Sequence, residues 1–298
     1  MDPLDLINLH QLMDRTEGHN NIKIGVIDGP VDFNHPQLKN AKIKTISDSQ
    51  FIECKNSTSV ACMHGTFIVG ILSGIRNSTS PAICPQCPIL LRPIFKDGSS
   101  LAVSDNYNNI NIPISTPQEL AKAIIETINA GAKIINLSIG ISISSLVTHY
   151  ELQQAYQYAI RNHVIIIAAS GNQGSLGYAS TLYHPWVIPV ASCDEYGKIS
   201  SISNLGSFIA RRGIMAPGTK IKSILPNNGY SYMSGTSFAA PFLTGVIALL
   251  WSLFQEATST DIITSIINAD AISNNRRSLI PPLVNAELAY KKLYRIFH

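Results

Sequence analysis

Short apolar runs alternate along this chain with longer segments of helical periodicity, and this alternation limits the possible folds more than any other feature. The apolar runs have the length of buried strands and lie at 22–27, 89–91, 133–137, 164–169 and 187–191. Helical patterns follow at 116–130, 146–162 and 236–254. Alternation of strand and helix favours parallel strands with right-handed crossovers. The sequence therefore predicts an α/β fold of three layers, with a mostly parallel, doubly wound sheet and helices on both faces.

The helix predicted near residue 116 has the clearest start and stop signals. Thr116 is a suitable N-cap, Pro117 suits the first helical position, and Glu119 is placed to complete a capping box. Gly131 is typical of the residue that follows a helix end. We therefore expect this helix to end at residue 129 or 130.

Size and composition are those of one large domain. The chain has 298 residues, of which 45% are apolar, and we expect a single domain over 1–298, with a core at about 20–270 and a helical tail at about 271–298. The net charge is only +3 and there is no basic run, so no nucleic-acid partner is expected. Polar residues or glycine interrupt the long apolar stretches, so we also expect no membrane span. We expect a monomer.

Four polar residues stand out by their positions and their order. Asp28 ends the first apolar run, His64 stands at or near the start of a helical apolar segment, and Ser237 precedes the longest apolar helix. Each alone has an ordinary interpretation as a turn, packing or capping residue. The order Asp, His, Ser, with Asn172 in the segment Ser170-Gly171-Asn172 between the last two, is one of the known orders of a serine-protease triad.

Peptide hydrolysis by serine explains why these residue types occur together. A serine hydroxyl is a weak nucleophile at neutral pH and needs an adjacent base. His64 would take the proton of Ser237, and Asp28 would hold the imidazole in the correct tautomer. Asn172 and the backbone N–H of Ser237 would stabilise the developing oxyanion.

These motifs resemble those of the subtilisin family of serine proteases, peptidase family S8, from about residue 22 to about 252. The resemblance is carried by Asp28-Gly29, His64-Gly65-Thr66, Asn136-Leu137-Ser138-Ile139-Gly140, Ser170-Gly171-Asn172 and Gly235-Thr236-Ser237. It implies a subtilisin-like fold and the hydrolysis of peptide bonds.

A second set of motifs is similar to the N-terminal protease of cyanobactin (patellamide-type) biosynthesis. The set comprises Ile27-Asp28-Gly29-Pro30-Val31-Asp32, His35-Pro36, and Cys84-Pro85-Gln86-Cys87 running into Arg92-Pro93-Ile94-Phe95. Those enzymes cut the leader from a ribosomally made precursor peptide, which frees the N-terminus of the core for a second protease to macrocyclise. A precursor peptide is thus the implied substrate. A broad intracellular subtilisin of protein turnover and a pseudoprotease binding module are the alternatives, and the intact set of four residues argues against the second.

The resemblance also implies where the substrate binds. Ser138, Ile139 and Gly140 would form an edge segment that pairs with the extended substrate backbone. The same segment and Ser170-Gly171 would wall the pocket for the residue before the scissile bond. Gln173 stands where some relatives have an acidic residue, so no strong preference for a basic side chain is expected. Segment 178–180 would close the pocket.

Location and cofactors are inferred from features that are missing. No secretory signal is recognisable at the N-terminus, and the roughly 20 residues before the first strand are too few for a folding prodomain. We therefore expect a cytoplasmic enzyme that folds unaided. The loop at 76–81, where secreted relatives bind calcium, contains no carboxylate. We expect neither a high-affinity metal site there nor a cofactor.

The five cysteines and one long polar loop have several interpretations. Cys84 and Cys87 have metal-site spacing, but no second matching pair exists, so free thiols or a local disulfide are favoured over zinc. Cys54 and Cys62 flank a loop just before His64, and a bridge between them would stiffen that approach; the sequence leaves this open. The polar segment 99–113 is either a mobile loop or a flap that contacts the substrate.

Overall fold

The computed structural model describes residues 1–46, 54–95, 114–141, 150–176, 184–267 and 279–298. The strands in these ranges are β1 (Ile24–Asp28), β2 (Ile43–Thr45), β3 (Ile89–Pro93), β4 (Ile114–Ser115), β5 (Ile134–Leu137), β6 (Gly140–Ile141), β7 (Ile165–Ala169), β8 (Val187–Cys193), β9 (Ile214–Pro217), β10 (Ile221–Leu225) and β11 (Gly229–Met233). The helices are α1 (Pro3–Leu6), α2 (His10–Arg15), α3 (Val60–Leu72), α4 (Pro117–Asn129), α5 (Tyr150–Arg161), α6 (Ser207–Arg212), α7 (Thr236–Leu253), α8 (Ser259–Ile266) and α9 (Ala286–Phe297).

A seven-stranded sheet forms the centre of the molecule. Its strand order is β2-β3-β1-β5-β7-β8-β9, and every neighbouring pair is parallel. The order reverses beside β1, because β3 lies on one side of this strand and β5 on the other. The doubly wound, mostly parallel sheet predicted from the sequence is confirmed. Ligands of such sheets bind at the carboxyl ends of the strands, near such a reversal.

Helices cover both faces of the sheet, as predicted. Alternate side chains of β1 point to opposite faces: Ile24 and Val26 join the core beneath α3 and α7, whereas Ile27 joins the core beneath α4 and α5. The long helix α7 contacts β5, β7, β8 and β9. It therefore crosses the middle of the sheet, and its N-terminus lies near the strand ends.

Helix α4 begins and ends as predicted but lacks the expected capping box. The Thr116 hydroxyl oxygen accepts from the backbone N–H of Glu119 at 3.1 Å, which is the first half of the box. The Glu119 carboxylate instead accepts from Nη2 of Arg92 at 2.7 Å. The guanidinium of Arg92 is buried, and a buried charge must be paired. This need outweighs the gain from closing the box.

Two further helices correct the sequence-based expectations. Helix α3 begins at Val60 with Ser59 as N-cap, one turn earlier than the expected start at His64. Helix α7 has 18 residues and is long and apolar enough to cross a membrane, contrary to the expectation of no such stretch. However, 94% of it is buried inside the protein, as in a core helix.

The C-terminal helix of the predicted tail is α9, which packs against α8 and α2. Arg15 of α2 forms an ion pair with Glu287 of α9, with 2.6 Å between Nη1 and Oε2. The extents predicted for the core and the tail stay predictions.

Candidate active site

Asp28 and His64 lie in contact although 36 residues separate them. Asp28 is the last residue of β1, and His64 lies in the second turn of α3. Nδ1 of His64 lies 2.7 Å from Oδ1 of Asp28, and both side chains are buried. An ionised carboxylate only accepts hydrogen bonds, so Nδ1 carries the proton and Nε2 is the basic nitrogen. Nε2 finds no hydrogen-bond partner among the described residues, which leaves it free to accept a proton.

Gly29 and Gly65 allow β1 and α3 to approach closely enough for this contact, and a Cβ atom on Gly29 would overlap the carbonyl oxygen of Ala61 in α3. A Cβ atom on Gly65 would lie 2.5 Å from the carbonyl oxygen of Gly29 and 2.6 Å from that of Pro30. Real Cβ atoms essentially never come so close. Any other residue at Gly65 would push α3 away from the end of β1, and with it His64 from Asp28.

Ser237 is the second residue of α7, after Gly235 as N-cap. Its N–H belongs to the first helical turn, which has no carbonyl of its own helix to bond with. The next residue, Phe238, packs its ring 5.5 Å from the His64 ring, centroid to centroid. The structure thus places the start of α7 beside the His64 ring.

Asn172 lies against the same helix start. Its Oδ1 accepts from the N–H of Thr236 at 2.8 Å and from the Thr236 hydroxyl at 2.9 Å. These two bonds fix the plane of the amide and leave Nδ2 to donate elsewhere. The structure thus brings Asn172, the residue predicted to stabilise the oxyanion, to the start of α7 that carries Ser237; its role there stays a prediction.

The predicted substrate segment Ser138-Ile139-Gly140 follows the carboxyl end of β5. Ser138 and Ile139 are buried, and Gly140 begins β6. Gly140 is paired in parallel with Ile114 of β4 on one side, and since β4 and β6 form a sheet of two strands, β6 has no second strand partner among the described residues. The side chain of Ser138 points inward to the α7 start, where its hydroxyl donates to the backbone carbonyl of Ser237 at 2.8 Å.

The second predicted wall, Ser170-Gly171, also contacts the turn Gly235-Thr236-Ser237. The N–H of Gly171 donates to Oγ1 of Thr236 at 3.1 Å, and Ser170 is fully buried. Gln173 Oε1 accepts from Nδ2 of Asn204 at 2.6 Å, so its amide is engaged within the protein. The predicted closing segment 178–180 and the loop 99–113 lie outside the described residues.

Sequence reasoning did not single out the supporting residues Thr236, Asn204 and Thr244. The Thr236 hydroxyl forms hydrogen bonds with both Asn172 and Gly171. Asn204 donates to Gln173, and Thr244 donates to Asn136. All three are ordinary in sequence. Only Thr236 carried a usable signal, because it lies between the glycine and the serine of the motif Gly235-Thr236-Ser237.

A disulfide joins Cys54 and Cys62, which resolves the alternative left open by the sequence. Cys62 lies in the first turn of α3, two residues before His64, so the bridge ties the preceding loop to the helix that carries the histidine. Cys84, Cys87 and Cys193 are free and buried. The Cys84-Cys87 pair thus holds free thiols, one of the two favoured interpretations. The hydrogen bond to Cys87, together with burial, raises the pKa of the Cys84 thiol, and the same hydrogen bond lowers the pKa of the Cys87 thiol.

Replacing Cys54 and Cys62 together by serine should lower the free energy of unfolding by about 2 to 3 kcal/mol, the cost typical of opening a loop of this length. Urea titration of both proteins measures this difference. Dithiothreitol should produce the same loss in the unmodified chain and no further loss in the double variant. Equal stability of the two proteins under oxidising conditions would contradict the prediction.

The loop at 76–81 borders a polar groove of about 780 Å³ that none of the four candidate catalytic residues lines. Its other walls are the N-terminal segment and the hairpin β10–β11. Arg76 donates from Nη1 to the carbonyl of Met13 at 2.5 Å and from Nη2 to those of Thr16 and Ile83, both at 2.7 Å. In the described part of the chain, Asp2, Asp5 and His10 are the one cluster with metal-ligand types, and all three are exposed.

The site combines an Asp–His pair at the carboxyl edge of a doubly wound sheet with a serine at a helix start and an amide beside it. This combination is typical of a serine protease of the α/β class. The family comparison agrees with this classification. The chain belongs to the subtilase family, peptidase S8, a family of serine endopeptidases whose model matches residues 19–287.

Three relatives illustrate the similarity. A thermophilic serine proteinase of Bacillus sp. (strain AK1) is 33% identical over 80% of this chain, and the match spans 54% of that protein, about half its length. Thermitase of Thermoactinomyces vulgaris is 31% identical over 94% of this chain and 92% of its own. The structure of the prenylagaramide maturation protease PagA superposes with a TM-score of 0.79 at 30% identity, covering 96% of this chain and 98% of that one.

Proposed function

We propose that this chain is a serine endopeptidase that cleaves the leader from a ribosomally synthesised precursor peptide, freeing the N-terminus of the core for macrocyclisation. The observation that carries the proposal is the match to a maturation protease along almost the whole of both chains. The motifs at 27–36 and 84–95 that resemble cyanobactin proteases support the same assignment.

In the proposed mechanism, Ser237 attacks the scissile carbonyl while Nε2 of His64 takes its proton. Asp28, 2.7 Å from Nδ1, orients the imidazole and stabilises its charged form. Nδ2 of Asn172 and the N–H of Ser237 donate to the oxyanion. His64 then returns the proton to the leaving amine, and water releases the acyl group by the same steps.

The peptide substrate would lie extended along Ser138, Ile139 and Gly140, with the residue before the scissile bond between this segment and Ser170-Gly171. Gln173 brings no negative charge to the pocket, and its amide is already bonded to Asn204. The proposal therefore implies no strong preference for a basic side chain at that position of the substrate.

We further propose that the enzyme acts as a monomer in the cytoplasm, without nucleic acid or membrane. The small net charge and the absence of a basic run support the absence of a nucleic-acid partner. In the cytoplasm the Cys54–Cys62 bridge would be exposed to reduction, because disulfides persist mainly in oxidising compartments. Thiol alkylation in intact cells, followed by mass analysis of this bridge, tests it.

Incubation with a precursor peptide encoded beside the gene should give one cleavage between leader and core, whereas casein should remain largely intact. Mass spectrometry of timed samples measures both. The Ser237→Ala variant is the control for contaminating proteases. Fast digestion of casein at many sites would overturn the dedicated function and favour the alternative, a broad subtilisin of protein turnover.

A further inference from the structure

A chain of buried hydrogen bonds leads from the middle of α7 to the nucleophile turn, Gly235-Thr236-Ser237. Thr244 Oγ1 donates to Oδ1 of Asn136 at 2.9 Å, and Nδ2 of Asn136 donates to Oγ of Ser138 at 2.8 Å. Ser138 Oγ in turn donates to the backbone carbonyl of Ser237 at 2.8 Å. Thr244, Asn136 and Ser138 are fully buried, and Ser237 is 2% exposed. No solvent is available to replace a lost member.

The last bond of the chain exists because of a proline. In an α-helix, the carbonyl of Ser237 would accept from the N–H four residues later, and that residue is Pro241, which has no N–H. The carbonyl of Ser237 therefore lacks the donor that the fourth residue along normally provides. Since a buried carbonyl without a hydrogen-bond partner costs free energy, the bond from the Ser138 hydroxyl stabilises this turn.

These hydrogen bonds join α7 to the substrate segment at two positions along the helix. Thr244 lies two turns beyond Ser237 on the same helix, and both are tied through Asn136 and Ser138 to the end of β5. A helix held at two points cannot slide along its axis or rotate about it without breaking one of the bonds. The position of Ser237 relative to Ser138 is thereby fixed.

We propose that Thr244, Asn136 and Ser138 are positioning residues, which hold the Ser237 hydroxyl in register with the peptide bound along the substrate segment. The inference rests on the proposed role of Ser237 as the nucleophile. Ser138 then has two separate tasks: its backbone faces the substrate, and its side chain holds the nucleophile turn.

Replacing Thr244 by valine tests the proposal, because valine keeps the shape and removes the hydroxyl that Asn136 requires. The kcat for a short chromogenic peptide should fall about tenfold, as for one lost hydrogen bond, with KM changed by less than about twofold. Titration with a covalent serine-directed inhibitor counts active sites, so that kcat refers only to folded, reactive enzyme. An unchanged kcat per active site would overturn the proposal.

Two controls separate positioning from general stability. The variant Thr244→Ser keeps the hydroxyl and should retain kcat within about twofold of the unmodified enzyme. The variant Thr127→Val removes another buried hydroxyl, one that donates to the carbonyl of Ala123 within α4 at 2.7 Å. It should lower the thermal midpoint and leave kcat per active site unchanged. A decrease in kcat per active site equal to that of Thr244→Val would overturn the proposal.

A double-mutant cycle tests whether the three residues act as one chain. If they do, Ser138→Ala and Thr244→Val together should reduce kcat by much less than the product of their separate effects. Fully multiplicative effects would overturn the proposal. The variant Ser237→Ala, measured in the same assay, distinguishes the two hypotheses. Full activity of Ser237→Ala would refute Ser237 as the nucleophile. An inactive Ser237→Ala together with an unchanged kcat of Thr244→Val would refute only the positioning role.

Discussion

The variant Ser237→Ala should lose peptide hydrolysis almost completely, with a kcat lower by about a millionfold. In subtilisin the loss of the nucleophile costs about 2 × 10⁶ in kcat, and we adopt that magnitude because the same four residue types are arranged in the same order. Alanine has no hydroxyl to attack the carbonyl, and His64 then has no proton to accept. The small remaining rate would come from the oxyanion donors and from substrate binding.

Hydrolysis of a chromogenic peptide measures this loss, with circular dichroism to show that the variant is folded. A matched control is Ser252→Ala, which removes another hydroxyl of α7, one that donates to the carbonyl of Ala248 at 2.6 Å. The control should retain kcat. Replacing His64 in addition to Ser237 should cause little further loss, because the two residues act as a unit. Substantial activity in Ser237→Ala would refute the proposed mechanism.

Five strands of the central sheet, β1, β3, β5, β7 and β8, could be predicted from the sequence because they are buried on both faces. Such strands form continuous apolar runs, and the predicted runs at 164–169 and 187–191 differ from β7 and β8 by at most two residues at either end. Strand β9 and the hairpin β10–β11 were not predicted. Strand β11 has no fully buried residue, and its alternating pattern includes the exposed Tyr230 and Tyr232. Its pairing depends on β10 more than on its own apolar content.

The candidate site could be predicted as a set of residues but not as a geometry. Chain order indicated Asp28, His64, Asn172 and Ser237 together. The distance between Asp28 and His64 depends on the close approach at Gly29 and Gly65, which no local pattern expresses. The start of α3 was misplaced for a similar reason, since Ser59 as N-cap follows a polar loop that offers several equally good caps.

Side-chain partners were the least predictable feature, because they depend on competition within the fold. Glu119 has good sequence context for a capping box, yet its carboxylate bonds to the buried guanidinium of Arg92. The Cys54–Cys62 bridge depends on how the loop closes onto α3, which spacing alone leaves undetermined. The bond from Ser138 to the carbonyl of Ser237 follows from Pro241, which becomes informative only once the helix is known to include it.

Replacing Asn172 by aspartate should lower kcat by about a hundred- to a thousandfold while KM changes little. The magnitude is that known for loss of the oxyanion asparagine in subtilisin. Aspartate keeps an oxygen to accept from the N–H and the hydroxyl of Thr236, so the local fold is preserved. It removes the Nδ2 donor and puts a negative charge near the developing oxyanion. The ground-state complex has little charge to stabilise, and the loss therefore falls on the transition state.

Steady-state kinetics of Asn172→Asp and Asn172→Ala separate the lost donor from the added charge. Both should lower kcat, and aspartate should be the worse of the two because repulsion adds to the missing hydrogen bond. Asn129→Asp, the same substitution at an exposed position at the end of α4, should leave kcat unchanged. A rise in KM at constant kcat would show instead that Asn172 binds the substrate equally in its ground and transition states, and the oxyanion would then need another donor besides the N–H of Ser237.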